Sequence, residues 1–545
     1  MFSFVKPLLH SLRGLLVRAR SYPLFWLTVA ALFMVFVEAG RTVFSSNDEA
    51  RFAVLAQDIL TRGRWLYPEV SGAVYHNKPL LLAWLIALCS APLGEVSQLT
   101  AVLPSALAAL ATIGTIYAFT RHLFGPESAR IAALATMTTQ GVYLYARLPM
   151  PDMLMTCFIT ASLAMLWLTL RGNHPRAWIG FYGFAAAAFW AKGPAGLVPL
   201  IVAAVVVAVR LGSWRALSPA RGVALVVFLT SPWWGRELMS EAATVRQVLI
   251  SDYLFWYVPM RVSVTSLVTP LQHAFAITSP WILVVPAVLV QARRALRQPG
   301  RQRDALLFVL VWLTVLFGLV AVSQQQRLRY YLPLVPPLAV LIGWWVARSV
   351  HSATTRHLIP WKAYAATTAV LVVATGAFIA VRREWPRDVA VALPSPIELV
   401  VIVVAMAGAI WALAYGIRRR KLPGAFVAAA VCSAAVLVVA YHGQIERQNQ
   451  ANDYLRLRAA VAPAAEASPL VATWGVADLP VSFYFGRPSV VVSRAPDLTR
   501  LIANNPRAIA ILSESASSQL RDGHGLRILF EDELAFRRIS VFTSR

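Results

Sequence analysis

Long apolar runs separated by short basic clusters, such as "QARRALRQPGRQR" and "IRRRK", constrain this chain more than any single motif does. A run of about 20 apolar residues spans the hydrocarbon core of a bilayer, and somewhat fewer suffice where the protein thins it. Such runs centre in 22–40, 101–120, 130–148, 153–170, 177–191, 194–210, 222–234, 273–291, 304–322, 330–347, 363–382, 396–417 and 424–441, which predicts thirteen transmembrane helices. Hydrophobic residues make up 58% of the 545 and charged residues only 14%, a balance that excludes an ordinary soluble domain. The formal charge of +25 does not point to nucleic acid, because the basic residues fall between apolar runs and act as topology signals. Cys89, Cys157 and Cys432 lie inside apolar runs with no pairing pattern and read as packing residues.

The segment "PLLLAWLIALCSAPLG", residues 79–94, is apolar but short and broken by Pro92. Left out of the spans, it puts the clusters at 121–130, 171–176, 210–221, 293–303, 348–362 and 418–421 on the side of the N-terminus. Segments on that side then hold 23 Lys and Arg against 15 on the other, with 12 beyond residue 442. This obeys the positive-inside rule, so 79–94 is expected at the outer interface as a juxtamembrane helix. Lys6, Arg13, Arg18 and Arg20 precede the first run, which ends near Val37-Glu38-Ala39; the long basic stretch favours a retained span over a cleaved signal. The N-terminus is therefore expected in the cytoplasm and the C-terminus outside.

From about residue 442 the composition turns mixed. Strand-like "PLVATWG", "PSVVVSR", "AIAILSE", "LRILFE" and "FRRISVFTS" alternate with helix-like "NDYLRLRAAVA" and "DLPVSFYFG", which predicts a small soluble α/β domain over 442–545, following a membrane domain over 1–441 whose first outer loop is 42–100.

The outer loops carry an unusual set of charges. In "SSNDEARFAVLAQDILTRGRW", Phe52, Leu55, Ala56, Ile59 and Leu60 form one stripe of a helix that Gly63 can end, expected to lie on the membrane with Asp48 and Glu49 at its N-terminus. Asn47 or Asp48 could serve there simply as a helix cap. "VYHNKPL" places Tyr75, His76 and Lys78 before the juxtamembrane helix, "RLPMPDML" places Arg147 and Asp152, and "FWAKGP" places Lys192. "YVPMRV" adds Arg261, and "QQQRLRYYLP" adds Arg327, Arg329, Tyr330 and Tyr331. Taken singly, each cation has a bland reading as a snorkelling or headgroup contact, and His76 and His273 read as polar interface residues. Ionised groups at that depth need a partner, water or a cavity, and the collection as a whole suits a lipid phosphate.

With "NDEARFAVLAQDIL", "GAVYHNKPLLLAW", "MPDML", "WAKGP" and "RLRYYLPLVPPLA" in this order over roughly residues 20–345, the chain resembles the GT-C membrane glycosyltransferases. It is most similar to the bacterial aminoarabinose transferases that modify lipid A, and more distantly to the protein O-mannosyltransferases. The resemblance implies a polytopic bundle in the bacterial inner membrane and a polyprenyl-phosphate (undecaprenyl-phosphate) sugar donor, used on the periplasmic face without a nucleotide. The exact sugar and acceptor do not carry over; a lipid A-like or glycan acceptor is the expectation, and a single displacement on the donor would invert the anomeric centre. The resemblance makes Asp48 the essential acid, with Glu49 beside it and Asp152 as a second outer acid. Lys78 and Arg261 match the family's phosphate-facing positions, while its lysine-rich segment is changed here to Gln325-Gln326-Arg327; on chemical grounds Arg327 and Arg329 join them as cations for the donor phosphate, and Tyr75, His76, Lys192, Tyr330 and Tyr331 are candidates for the lining. Asn77 and the Val258-Pro259 pair stand where the family shows acid and histidine positions that resemble metal ligands. No metal residue is assigned and no cofactor is expected, with a divalent ion left as an open alternative. A lipid-linked sugar flippase and a noncatalytic binding relative are the competing readings; the first would favour broken spans and an internal repeat, and no repeat is present.

Overall fold

The computed structural model describes residues 23–171, 174, 176–239, 264–350, 394–419, 422–468, 470–520, 526–534 and 537–544. Arg261, the Val258-Pro259 pair, the basic residues before 23 and the run 363–382 lie outside the described residues.

The apolar helix α1 (Pro23–Phe36) leads to α2 (Asn47–Arg62). The N-cap of α2 is Ser46, whose side chain accepts from the Glu49 N–H at 3.4 Å, and Gly63 ends it in the left-handed conformation at φ 68°. Capping therefore falls to neither Asn47 nor Asp48. The expected stripe is buried, Leu60 only in part, but so are Ala50, Ala53 and Val54 on other faces. Rather than lying on lipid by one stripe, α2 is sandwiched in protein, between a short apolar helix and a helix of the C-terminal unit introduced below.

A two-stranded antiparallel hairpin, β1 (Glu69–Val70) and β2 (Ala73–Val74), precedes that short helix, α3 (Leu81–Ser90). At ten residues α3 rises about 15 Å, half the hydrocarbon thickness. It buries Leu82, Ala83, Ile86 and Ala87 and leaves Leu88 exposed. There follow α4 (Gln98–Phe124), α5 (Pro126–Met137), α6 (Gln140–Tyr145), α7 (Pro151–Arg171), α8 (Ala177–Lys192), α9 (Val198–Ala208) and α10 (Pro219–Leu238). After the undescribed stretch come α11 (Val264–Thr278), α12 (Val285–Ala295), α13 (Arg301–Ala321), a 3-10 segment Leu328–Leu334, α14 (Val335–Val350), α15 (Pro396–Arg419) and α16 (Leu422–Ala451). Among the described residues seven stretches are long and apolar enough to cross a membrane, or eight if Val268–Thr278 and Trp281–Ala295, bent by 109°, make one span.

The run 130–148, expected as a single helix, breaks at Thr138 and Thr139 between α5 and α6. The break meets the bend after α11: the Gln140 N–H donates to the Ser279 carbonyl at 2.9 Å and Trp281 Nε1 to Thr138 Oγ1 at 3.1 Å. These bonds satisfy polar groups that interrupted helices would leave bare in an apolar bundle. Between α8 and α9 the chain turns through 193–197. A Cβ on Gly196 would lie 2.1 Å from the Ala188 carbonyl carbon, so only glycine allows that approach and the segment is no straight rod.

Helices α17 (Tyr454–Ala460), α18 (Asp478–Phe485) and α19 (Ala495–Asn504) accompany a five-stranded sheet of β3 (Val471–Trp474), β4 (Ser489–Val491), β5 (Ile509–Ser513), β6 (Leu526–Leu534) and β7 (Arg537–Ser544). Strand order is β4-β3-β5-β7-β6, with β3 parallel to both β4 and β5 and the other pairs antiparallel. Each of the five strand-like runs in the sequence becomes a strand. The sheet unit touches the bundle chiefly through α18, which packs on α2.

Candidate active site

Because α2 begins at Asn47, the carboxylate of Asp48 sits in its first turn, where the helix dipole favours negative charge. Three guanidiniums converge on it: Arg51 at 3.2 Å, Arg329 at 3.0 Å and Arg327 at 2.5 Å. Arg51 is one turn along the same helix; the other two come from the 3-10 segment ahead of α14 and the residue before it. Burial works against ionisation of Asp48, but Arg329, Arg51 and Arg327 outweigh it and hold the carboxyl at about 2. Asp48 is thus an anion at any ordinary pH.

Asp48 opens onto a cavity of about 420 Å³. Its polar mouth is formed by Asp48, Arg51, Lys78, Lys192, Arg327 and Arg329, with Tyr75 and Tyr330 beside them. Its floor is apolar: Met155 and Ile159 of α7, Val198 of α9, and Leu316, Leu319 and Val320 of α13. Beside Asp48, Asn47, Ser71 and Asp478 complete its lining.

Lys78 keeps part of its surface open to this cavity and is enclosed elsewhere. Among the described residues no hydrogen bond or ion pair holds its ammonium. Burial, helped by the neighbouring Lys192, brings its pKa down to about 8 against the opposing pull of Asp152. Lys192 by contrast is paired with Asp152, whose side chain is 1% exposed, and its ammonium stacks 4.2 Å from the centre of the Tyr330 ring. Arg329 Nε approaches Asp152 at 3.8 Å. Five cations thus stand round three carboxylates, Asp48, Asp152 and Asp478, and the excess positive charge is ready for an anionic ligand.

The cavity gathers Asp48, Lys78, Tyr75, Lys192, Arg327, Arg329 and Tyr330. Asp152 stands behind Lys192. Glu49 turns away: its carboxylate accepts from the Ser45 N–H at 2.8 Å, and burial pushes its pKa up despite the bonds from Ser45 and Ser46. His76 leaves the cavity wall to meet Glu237 at 2.9 Å, and Glu237 is also held by Arg236 at 2.8 Å. Tyr331 is buried, its hydroxyl donating to the Gln326 side chain. Arg147 is elsewhere too, donating to the carbonyls of Met34, Val37 and Tyr143. Sequence reading missed Arg51, Asn47, Ser71 and Asp478. Arg51 had a signal, since a residue three after Asp48 shares its helix face; Asp478 had none.

The model of the family described as dolichyl-phosphate-mannose-protein mannosyltransferase matches residues 77–235. The undecaprenyl phosphate-alpha-4-amino-4-deoxy-L-arabinose arabinosyl transferase 1 of Pseudomonas fluorescens is 28% identical over 327 residues, 57% of this chain and 57% of that one. The like-named transferase of Pseudomonas aeruginosa is 25% identical over 411 residues, 72% of this chain and 70% of that one. In three dimensions, apo ArnT from Cupriavidus metallidurans superposes with a TM-score of 0.76 over 96% of this chain and 98% of that chain, at 20% identity. The fold is that of ArnT. The crystal structure of the same ArnT bound to undecaprenyl phosphate gives 0.74, over 95% and 97% of the two chains, at 20% identity. The resemblance carried by the five motifs is borne out along the chain and in the fold. In sequence, the match to the Pseudomonas fluorescens relative spans little more than half of that protein's length.

Proposed function

We propose that this chain is a membrane glycosyltransferase that moves a sugar from a polyprenyl-phosphate donor, of the undecaprenyl class, to a lipid A-like or glycan acceptor. The observation that carries the reading is the cavity itself: an enclosed Lys78, without an ion-pair partner among the described residues, and a fixed Asp48 share one mouth above an apolar floor. The cationic mouth suits a phosphate, and the floor between α7, α9 and α13 suits an isoprenoid chain. That the similar arabinosyl transferases are named for undecaprenyl phosphate, and that ArnT was crystallised with it, supports this donor.

In the reaction, an acceptor oxygen attacks the anomeric carbon from the face opposite the phosphate. The bond from that carbon to the phosphate oxygen breaks, and its electron pair leaves with the phosphate. Lys78, Arg327 and Arg329 stabilise the growing charge, the arginines by paired hydrogen bonds and the lysine as a point charge. Arg261 joins them in this reading as a fourth cation. A carboxyl at about 2 is a weak base, so Asp48 orients the acceptor and stabilises positive charge on the sugar ring. An acceptor that is itself a phosphate needs no deprotonation, whereas the proton of a glycan hydroxyl passes to the Asp48 carboxylate as the new bond forms. Asp152 acts through Lys192, keeping it charged at the cavity wall. One displacement inverts the anomeric centre. Every step as written uses side chains of this chain, and Asn77 offers no carboxylate where the family shows an acid.

The same reading takes the thirteen apolar runs as spans of a bacterial inner membrane, with a cytoplasmic N-terminus and the sheet unit of 442–545 in the periplasm. The excess of Lys and Arg on the N-terminal side of the short loops supports it. The test is a transfer assay with purified protein and a polyprenyl-phosphate sugar. Wild type should release the sugar onto the acceptor, and Asp48→Asn should lose about 10²–10⁴-fold in kcat while still binding polyprenyl phosphate. Movement of the intact donor across vesicles without transfer, or a fully active Asp48→Asn, would overturn it.

A further inference from the structure

Helix α18 of the sheet unit packs along α2 beside the cavity. Asn47, the residue before Asp48, is gripped on both faces of its amide. Its Nδ2 donates to Asp478 Oδ1 at 2.6 Å, and its Oδ1 accepts from the Leu479 N–H at 3.1 Å. The second oxygen of Asp478 accepts from Ser71 Oγ, in the β1–β2 turn, at 2.5 Å. Asp478 is 5% exposed, and its two oxygens thus tie together the start of α2, the hairpin and the first turn of α18. Further along, Tyr484 Oη accepts from the Phe44 N–H at 2.8 Å and from Gln98 Nε2 at 2.9 Å, and Gln57 Nε2 donates to the Phe483 carbonyl at 3.4 Å. Those contacts fasten α18 to the bundle, but only the Asp478–Asn47 pair abuts Asp48 and faces the cavity.

We propose that Asp478 is a positioning residue for Asp48: through Asn47 it locks the first turn of α2, so the C-terminal sheet unit sets the aim of the site carboxylate. The inference rests on the glycosyl-transfer reading and adds to it a residue 431 positions away from Asn47. A carboxylate aimed at the reacting centre needs its backbone fixed to a fraction of an ångström, and a side-chain amide satisfied on both faces supplies that. The phosphate cations come from other elements, Lys78 from the loop before α3 and Arg329 from the segment before α14. Loosening the clasp should therefore disturb chemistry and spare donor binding.

The experiment is a reciprocal exchange in the full chain. Asn47→Asp sets carboxylate against carboxylate and breaks the clasp; adding Asp478→Asn restores it with donor and acceptor reversed. We expect Asn47→Asp to cut kcat at least tenfold with donor KM unchanged within twofold. As Asp48 drifts from Arg327 and Arg329, its acid limb should rise from about 2 towards the ordinary 3.8. The double variant should recover kcat to within threefold and return the limb, which a direct effect of the charge at position 47 could not do. Arg456→Ala, which removes a surface pair with Asp532, should leave kcat unchanged. A fully active Asn47→Asp, or a double variant no better than the single, overturns the inference while an inactive Asp48→Asn leaves the transfer reading standing. A wild type that turns over no polyprenyl-phosphate sugar brings down both.

Discussion

Arg147 and Lys78 look alike in sequence, each a basic residue in a short loop between apolar runs, yet the structure uses them in opposite ways. Arg147 is 1% exposed and saturated: its guanidinium donates to Val37 at 2.8 Å and to Met34 and Tyr143, and stacks 3.6 Å from the Tyr143 ring centre. Those carbonyls lie at the C-terminal ends of α1 and α6, where unsatisfied oxygens and the helix dipole attract a cation. Lys78 has no such partner among the described residues and faces a cavity. A cation satisfied by backbone carbonyls is a fastening. One left enclosed and unpaired costs stability, and a ligand of opposite charge recovers that cost.

The comparison breaks most sharply on Arg147→Met. Losing the guanidinium strands three enclosed carbonyls, for a loss of about 3–5 kcal/mol. Thermal unfolding of the purified chain should fall by many degrees, while turnover per folded molecule stays near wild type. If stability holds and turnover drops instead, Arg147 belongs with the site and the contrast is void.

Lys78→Met should act the other way round. Replacing an unpaired, desolvated ammonium by an apolar chain of similar length leaves the melting temperature unchanged or raises it. Donor kcat/KM should fall about 10²–10³-fold, the scale for losing a charge that stabilises a leaving group. A variant that melts early and retains kcat/KM would make Lys78 structural.

These two residues also mark what could be read without coordinates. The Gly63 stop and the five strand-like segments are local features set by propensity and periodicity, and they appear where the sequence puts them, whereas of the apolar runs 130–148 is broken and 363–382 lies outside the described residues. The gathering of Asp48, Lys78, Lys192, Arg327 and Arg329 followed from their common side in the charge-derived topology and from the motif order. Long-range pairing was not legible. Nothing in "RLPMPDML" says that helix C-termini will converge on Arg147, and nothing in "DLPVSFYFG" says that Asp478 will reach Asn47. The same holds for the break at Thr138 and Thr139, whose polar groups are satisfied by Ser279 and Trp281 far along the chain. Capping by Ser46 was open to a local reading, since serine is as good a cap as aspartate and leaves Asp48 free.

The smallest effect is a pH dependence, and it sharpens the contrast because only an unpaired cation should show it. Lys78 loses its proton near pH 8 in the free protein, so donor kcat/KM should be level below about 7 and fall tenfold per unit above about 8. The stability linkage has the opposite sign. An unfolded chain keeps this proton up to the ordinary 10.5, so between about 8 and 10.5 it binds more protons than the folded chain, and Lys78 makes folding more favourable as pH rises. Activity lost in that window is therefore not unfolding driven by Lys78, and a melting curve taken alongside separates the two. Lys78→Arg, charged throughout this range, should remove the limb near 8 even if its geometry lowers the rate. In kcat the limb should move to higher pH than in kcat/KM, because a bound phosphate supplies the counter-charge that the empty cavity lacks and holds the proton on. A limb that stays at the same pH in both, or that survives in Lys78→Arg, would assign the titration to another group.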